Sequence, residues 1–166
     1  MLSCTAELDF ATMDIRPAIP SDADAISALI ASVMHHLTLH PDGHGAEKFI
    51  ETMSPSAIAA AIGASNMRYL AGFEDGRLAG AVALRDNRHL FHLFVAPGFQ
   101  RRGHATRLWE AVRDEAVERG NPGQFTVNSS IYAVPLYAAL GFRPAGERTE
   151  ANGIAFLPMA LECGPM

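Results

Sequence analysis

Residues 95–105 read Val95-Ala96-Pro97-Gly98-Phe99-Gln100-Arg101-Arg102-Gly103-His104-Ala105, a turn whose residue types suit the binding of a phosphate or pyrophosphate. Gly103 and Ala105 are small enough for backbone to approach a ligand closely. Beyond them Leu108, Trp109, Val112 and Ala116 recur at helical spacing, so the turn feeds the start of an amphipathic helix. A helix start offers unpaired N–H donors and the positive end of the dipole to an anion. Arg101, Arg102 and Arg107 add a local basic cluster. No Gly-Lys-Ser/Thr closes the turn, and the three-glycine spacing of the dinucleotide fingerprint is absent, so this is a phosphate site of another kind.

A second run lies downstream: Thr126-Val127-Asn128-Ser129-Ser130-Ile131-Tyr132-Ala133-Val134-Pro135-Leu136-Tyr137-Ala138-Ala139-Leu140-Gly141-Phe142. The turn, with its Gln/Arg-x-x-Gly-x-Gly/Ala pattern preceded by Val-x-Pro, resembles the acyl-CoA pyrophosphate site of the GNAT superfamily of N-acetyltransferases. The second run is similar to that family's strand, helix and Tyr-x-x-Leu-Gly-Phe ending. Met13-Asp14-Ile15-Arg16-Pro17-Ala18 is similar to its opening strand, so the resemblance extends from about Met13 to Leu161.

The resemblance implies acetyl transfer from acetyl-CoA, without a metal, to a primary amine of a small molecule or peptide, by direct attack in a ternary complex. Backbone N–H groups of Arg101, Arg102, Gly103, His104, Ala105 and Thr106 would hold the pyrophosphate, with Gln100 bracing the turn. Phe94 and Val95 would pair their backbones with the pantetheine arm, the Val95 N–H would serve the oxyanion, and Asn128 would bond the arm from the next strand. Tyr137 would be the general acid, with Tyr132 as the alternative. A phenol of ordinary pKa near 10 stays protonated at neutral pH and can donate to sulfur as the C–S bond breaks.

For the base, His89 and His92 share the strand before the turn, and histidine titrates near neutrality. Alternation sets His89 with Phe91, Leu93 and Val95, and His92 with Leu90 and Phe94, unless a bulge near Phe94 exchanges the faces. His89 lies eleven residues before Gln100, the spacing at which the resembling enzymes carry a base, so it is preferred. A catalytically silent acyl-CoA-binding or sensor domain is the alternative function.

Positioning these residues requires an α+β domain at 13–166, layered α/β/α. Its mixed, mostly antiparallel sheet would be flanked by about four helices, and the resemblance adds central parallel strands that splay. Strands are expected at 14–18, 67–73, 78–84 and 90–95, with turns at Glu74-Asp75-Gly76-Arg77 and Asp86-Asn87. The stripe Ile26, Leu29, Ile30, Val33 and Leu37 marks a first helix, capped by Ser21 with Asp24 three residues on. Ser54-Pro55 opens a second that closes near Gly63. A polar loop over 40–48 carries His40 and His44 just after His35 and His36, and reads as an exposed or substrate-facing loop rather than a metal site. Gly120-Asn121-Pro122-Gly123 ends the third helix. Residues 125–127 read as a short strand, 129–132 as irregular, 133–140 as the last helix, and 144–149 and 153–161 as closing strands.

The 166 residues suit one domain, with 1–12 as an N-terminal extension and Met13 an eligible start. The composition, 49% apolar and 19% charged, is that of a globular protein, and no apolar run nears the roughly 20 residues of a membrane span. The opening residues lack the features of a signal peptide. Cys4 and Cys163 form no paired spacing, which fits a reducing cytoplasm. The net charge of −5 argues against nucleic acid as a partner and against acetylation of charged tRNA. Self-association as a homodimer stays open.

Overall fold

The computed structural model describes residues 12–163, so Cys4 and most of the expected N-terminal extension lie outside the described residues. Among the described residues one eight-stranded sheet carries five α-helices. In chain order these are β1 (Asp14–Pro17), α1 (Ala23–Val33), α2 (Glu47–Glu51), α3 (Pro55–Gly63), β2 (Met67–Glu74), β3 (Arg77–Arg85) and β4 (His89–Val95). Then follow α4 (His104–Glu118), β5 (Gln124–Ser130), α5 (Val134–Ala139), β6 (Arg143–Pro144), β7 (Thr149–Ala151) and β8 (Ile154–Glu162). The strands lie in the order β1-β2-β3-β4-β5-β8-β6, with β7 paired to β8.

Strands β2 to β4 form an antiparallel meander because their turns accept left-handed backbone, Asp75 and Gly76 in the first and Asp86 and Asn87 in the second, and β1 adds to the β2 edge antiparallel after the helical segment between them. The α4 stripe buries Leu108, Trp109, Val112 and Ala116 on one face of the sheet, where the Trp109 ring meets Phe125 and Phe142 edge-on at 4.9 and 5.2 Å. On the opposite face Ile26 and Ile30 of α1 and Ile58 of α3 pack over Tyr69, Ala81 and Ala83. Two apolar layers therefore sandwich the strands that carry the candidate site.

Four local expectations change. Asp22, not Ser21, stands at the N-cap position of α1, and its carboxylate makes no bond to the helix start but accepts the Ile19 N–H at 2.8 Å and pairs with Arg16. Part of the segment expected as loop folds into the additional helix α2, packing Phe49 against the α1 layer. β5 runs on to Ser130 instead of stopping at Val127, because β8 pairs with all seven of its residues, from Gln124↔Glu162 to Ser130↔Phe156. Pairing overrides the weak strand propensity of Ser129 and Ser130. The C-terminal part holds three strands rather than two, since β7 and β8 form a hairpin around Asn152 and Gly153, both left-handed.

Candidate active site

The turn after β4 is built to present backbone. Pro97–Phe99 makes a single 3-10 turn that buries Phe99, and Gln100 Nε2 donates to the Val95 carbonyl at 3.0 Å, tying the turn back to the end of β4. Arg101 (φ 64) and Gly103 (φ 80) are left-handed, which redirects the chain into α4. Gly103 is the N-cap and supplies no side chain to the helix start. The first helical bond runs from the Arg107 N–H to the Gly103 carbonyl, so the His104, Ala105 and Thr106 N–H groups precede the ladder.

A buried carboxylate anchors this turn from below. Glu74, at the end of β2, accepts from Arg102 Nη1 at 2.6 Å and from His104 Nε2 at 2.9 Å. Burial alone would push its carboxyl up; the His104 and Arg102 bonds hold it below the ordinary carboxylate range. The Arg102 guanidinium is thus tied beneath the turn and over Phe99, whose ring centroid lies 5.6 Å away. It does not border the cavity described next.

Strands β4 and β5 run parallel but pair only at His89↔Thr126 and Leu90↔Val127, then diverge. Asn121 clamps the closed end: its Nδ2 donates to Asn87 and Gln124 carbonyls, and its Oδ1 accepts from Gly123 and Gln124 N–H. A cavity of about 740 Å³ fills the open end, running from Gln100 and Gly103 through the gap to Phe49 and Met53 on the α1 face. Every residue expected at the site except Arg102 borders it. The Ala96 N–H is used by the Ala79 carbonyl, so strand alternation turns the Val95 N–H toward the gap. The same alternation directs the Phe94 backbone to β3, where Phe94 is in register with Ala81, and the gap-facing backbone belongs to Leu93 and Val95.

The expected face assignment of the two histidines is corrected. The β3–β4 register shifts between Ala83↔His92 and Leu84↔Leu90, so the bulge falls at Phe91 rather than near Phe94. Leu90, Leu93 and Val95 pack on the α4 face, while Phe91 and Phe94 pack toward α1. His89 and His92 consequently share the α1 face. His89 is half-buried, its Nδ1 2.8 Å from Thr126 Oγ1; burial, then the Arg85 and Arg88 charges, lower its pKa. His92 is 3% exposed, lies between the Phe91 and Phe94 rings, and holds Tyr69 Oη at 2.8 Å through Nδ1. Burial pulls its pKa down to about 3, so its imidazole is neutral, and its Nε2 has no partner among the described residues.

Tyr137 of α5 borders the gap from the α4 side, packed edge-on to Phe142, and burial pushes its phenol well above its ordinary value. Asn128 is exposed on β5 across the gap. Tyr132 stands at the rim, 60% exposed, with its ring stacked on His36 at 3.8 Å. The histidines of the loop make ring contacts, His35 with His36 and His40 with His44. No cluster of three or more metal-binding side chains forms among the described residues.

Sequence reasoning missed Tyr69, Glu74, Arg85, Asn121 and Thr126. The signal for Tyr69 and Thr126 exists only in register: Tyr69, Ala83 and His92 form one row across β2, β3 and β4, and Thr126 stands beside His89.

Residues 37–163 match the family model described as an acetyltransferase (GNAT) domain. No curated protein matches the chain. Among solved structures, a GCN5-related N-acetyltransferase from Rhodopseudomonas palustris superposes with TM-score 0.76 at 23% identity, covering 93% of this chain and 98% of that one. An N-acetyltransferase from Thermoplasma acidophilum in complex with coenzyme A gives 0.75 at 17%, covering 92% and 99%. N-acetylglutamate synthase from Neisseria gonorrhoeae, complexed with coenzyme A and N-acetyl-glutamate, gives 0.69 at 23%, covering 91% of this chain and 35% of that one.

Proposed function

This chain belongs to the GNAT acetyltransferase family, and on that premise we propose that it transfers an acetyl group from acetyl-CoA to a primary amine of a small molecule or peptide by direct attack in a ternary complex. The observation that carries the reading is the cavity itself: one continuous space joins a backbone-lined turn on the α4 side to an apolar chamber on the α1 side through the gap between β4 and β5. A cofactor arm and an acceptor can therefore meet at the gap from opposite faces.

The residues fit acetyl-CoA. Gly103, His104, Ala105 and Thr106 offer N–H groups at the start of α4 to a pyrophosphate, and Arg101 borders the same end. The diverging edges of β4 and β5 offer backbone groups to an amide-bearing arm, with Asn128 beside it. Bound there, acetyl-CoA supplies an activated thioester carbonyl. The Val95 N–H serves the carbonyl oxygen as it gains charge.

His89, on the acceptor face, takes the proton that keeps the amine cationic; its lowered pKa leaves the basic form dominant at neutral pH. The amine nitrogen then forms the C–N bond as the C–S bond breaks, and the electron pair leaves on sulfur. Tyr137 donates its phenolic proton to that sulfur and is reprotonated from solvent as the nitrogen sheds its second proton. His89 then releases its proton to solvent, so that one proton ends on sulfur and one in solvent. His92, with its pKa near 3, is too weak a base to take the amine's proton, and its Nδ1 is already engaged by Tyr69, so it is not assigned as the base.

The test is release of free thiol from acetyl-CoA across a panel of primary amines. The reading requires release that depends on both protein and amine. Tight acetyl-CoA binding with no release for any amine would favour the silent binding domain instead.

A further inference from the structure

The acceptor half of the cavity has its own chemistry. Its walls are mainly apolar, with Leu37, Phe49 and Met53 on the helical side, Phe91 on β4, and Ile154 and Phe156 on β8, interrupted by His36, Thr52 and the two β4 histidines. One fixed cation borders this half. Arg85, the last residue of β3, places its guanidinium carbon 5.4 Å from the Phe91 ring centroid, and its nearest ion pair, to Asp86 Oδ2, is long at 3.9 Å. The charged residues around the whole cavity are Arg85 and Arg101, with no carboxylate among the described residues that line it. A second ammonium on an acceptor would meet no counter-charge there, and burying it unpaired is costly.

Arg85 is also the register partner of His89, the proposed base. Directly opposed residues of an antiparallel pair carry their Cβ atoms about 4.5–5.5 Å apart on one face. An anion and an amine that are both to be served here must therefore lie close together on the same molecule. Only one carbon separates the amine and carboxylate of an α-amino acid.

We propose that the chamber takes an apolar α-amino acid, its carboxylate on the Arg85 guanidinium, its amine toward His89 and the gap, and its side chain among Phe49, Met53, Phe91 and Phe156. This rests on the acetyl-transfer reading for its chemistry. Its binding claim stands on the chamber alone. The fork of a guanidinium matches a carboxylate, and the aromatic face of Phe91 supports the cation from beneath. Decarboxylated amines and polyamines would lack the anion that the rim selects.

The experiment is calorimetric titration of the protein saturated with coenzyme A, which carries no acetyl group to transfer, with L-phenylalanine, phenethylamine and spermidine. Wild type should bind phenylalanine at least about tenfold more tightly than either other amine, the worth of a charge-assisted hydrogen bond. Arg85→Gln should erase that preference while leaving phenethylamine binding unchanged, which also shows that the variant is folded. Equal affinity of wild type for phenylalanine and phenethylamine, preference for spermidine, binding of none of the three, or undiminished phenylalanine affinity in Arg85→Gln would each overturn the proposal. Because turnover is not read, phenylalanine that binds here yet releases no thiol from acetyl-CoA would count against acetyl transfer and not against the subsite.

Discussion

Tyr69 Oη lies 2.8 Å from His92 Nδ1, in a row of the sheet where Ala83 is the only residue between them. The small alanine lets the phenol reach across β3 to an imidazole two strands away. Burial keeps the Tyr69 phenol protonated and the His92 ring neutral. If the hydroxyl donates to Nδ1, the tautomer has its N–H at Nε2, on a residue that borders the cavity. In that tautomer the pair holds the Nε2 donor buried behind the cavity wall, without a partner among the described residues.

Replacing Tyr69 with Phe removes that partner and leaves a buried imidazole nitrogen unpaired, at an expected cost of about 1–3 kcal/mol in denaturant unfolding. The His92 pKa near 3 is depressed below its unfolded value, so the unfolded chain binds more protons between the two. Its contribution to stability should be full above the unfolded histidine value of about 6.5 and be lost as pH falls toward 3. Ring ¹⁵N shifts of His92 that titrate near neutrality would contradict this.

At Gly103 a Cβ would meet open space, so the demand is on backbone, not packing. A β-branched residue at φ 80 is strained, by about 1–2 kcal/mol in the left-handed region. Gly103→Val should therefore weaken coenzyme A binding about tenfold or more, and clearly more than Gln100→Ala, which loses only the brace to Val95. Calorimetry giving equal affinity for Gly103→Val and wild type would remove the pyrophosphate assignment.

Tyr137→Phe deletes one hydroxyl from a buried, well-packed ring. Coenzyme A affinity should persist while turnover drops by about 10²–10⁴, the usual worth of a positioned acid. A rate within about threefold of wild type would make Tyr137 a packing residue.

The acidic limb of catalysis should follow His89. Its pKa is lowered, chiefly by burial and then by Arg85 and Arg88, so log kcat/KM should rise with pH through an ionisation below the ordinary histidine value of about 6.5 and level off above it. His89→Ala should abolish that limb, whereas His92→Ala should leave its position unchanged. A limb that survives in His89→Ala would exclude His89 as the base.

What the sequence disclosed divides by distance along the chain. The turn at 97–103 and the α4 stripe are local events of left-handed backbone and helical period, and both were legible before any pairing was known. The histidine faces were not, because His89-Leu90-Phe91-His92-Leu93-Phe94 is apolar or aromatic on both sides and hides a bulge at Phe91. The length of β5 was decided by β8, some thirty residues further on. Glu74 reads in sequence as a hairpin residue, and only the return of α4 beside β2 shows it to be the anchor of the turn. Arg85 likewise gains its place beside the base from register alone.

The central claim is a direct transfer between two molecules held at one gap, and isotopically labelled acetyl-CoA tests it most directly. Incubated with an accepted amine, the protein should move the label onto the amine nitrogen, with intact-protein mass unchanged throughout and no loss of label when the amine is omitted. Label appearing on the protein itself, or thiol released at the same rate without any amine, would contradict direct transfer in a ternary complex.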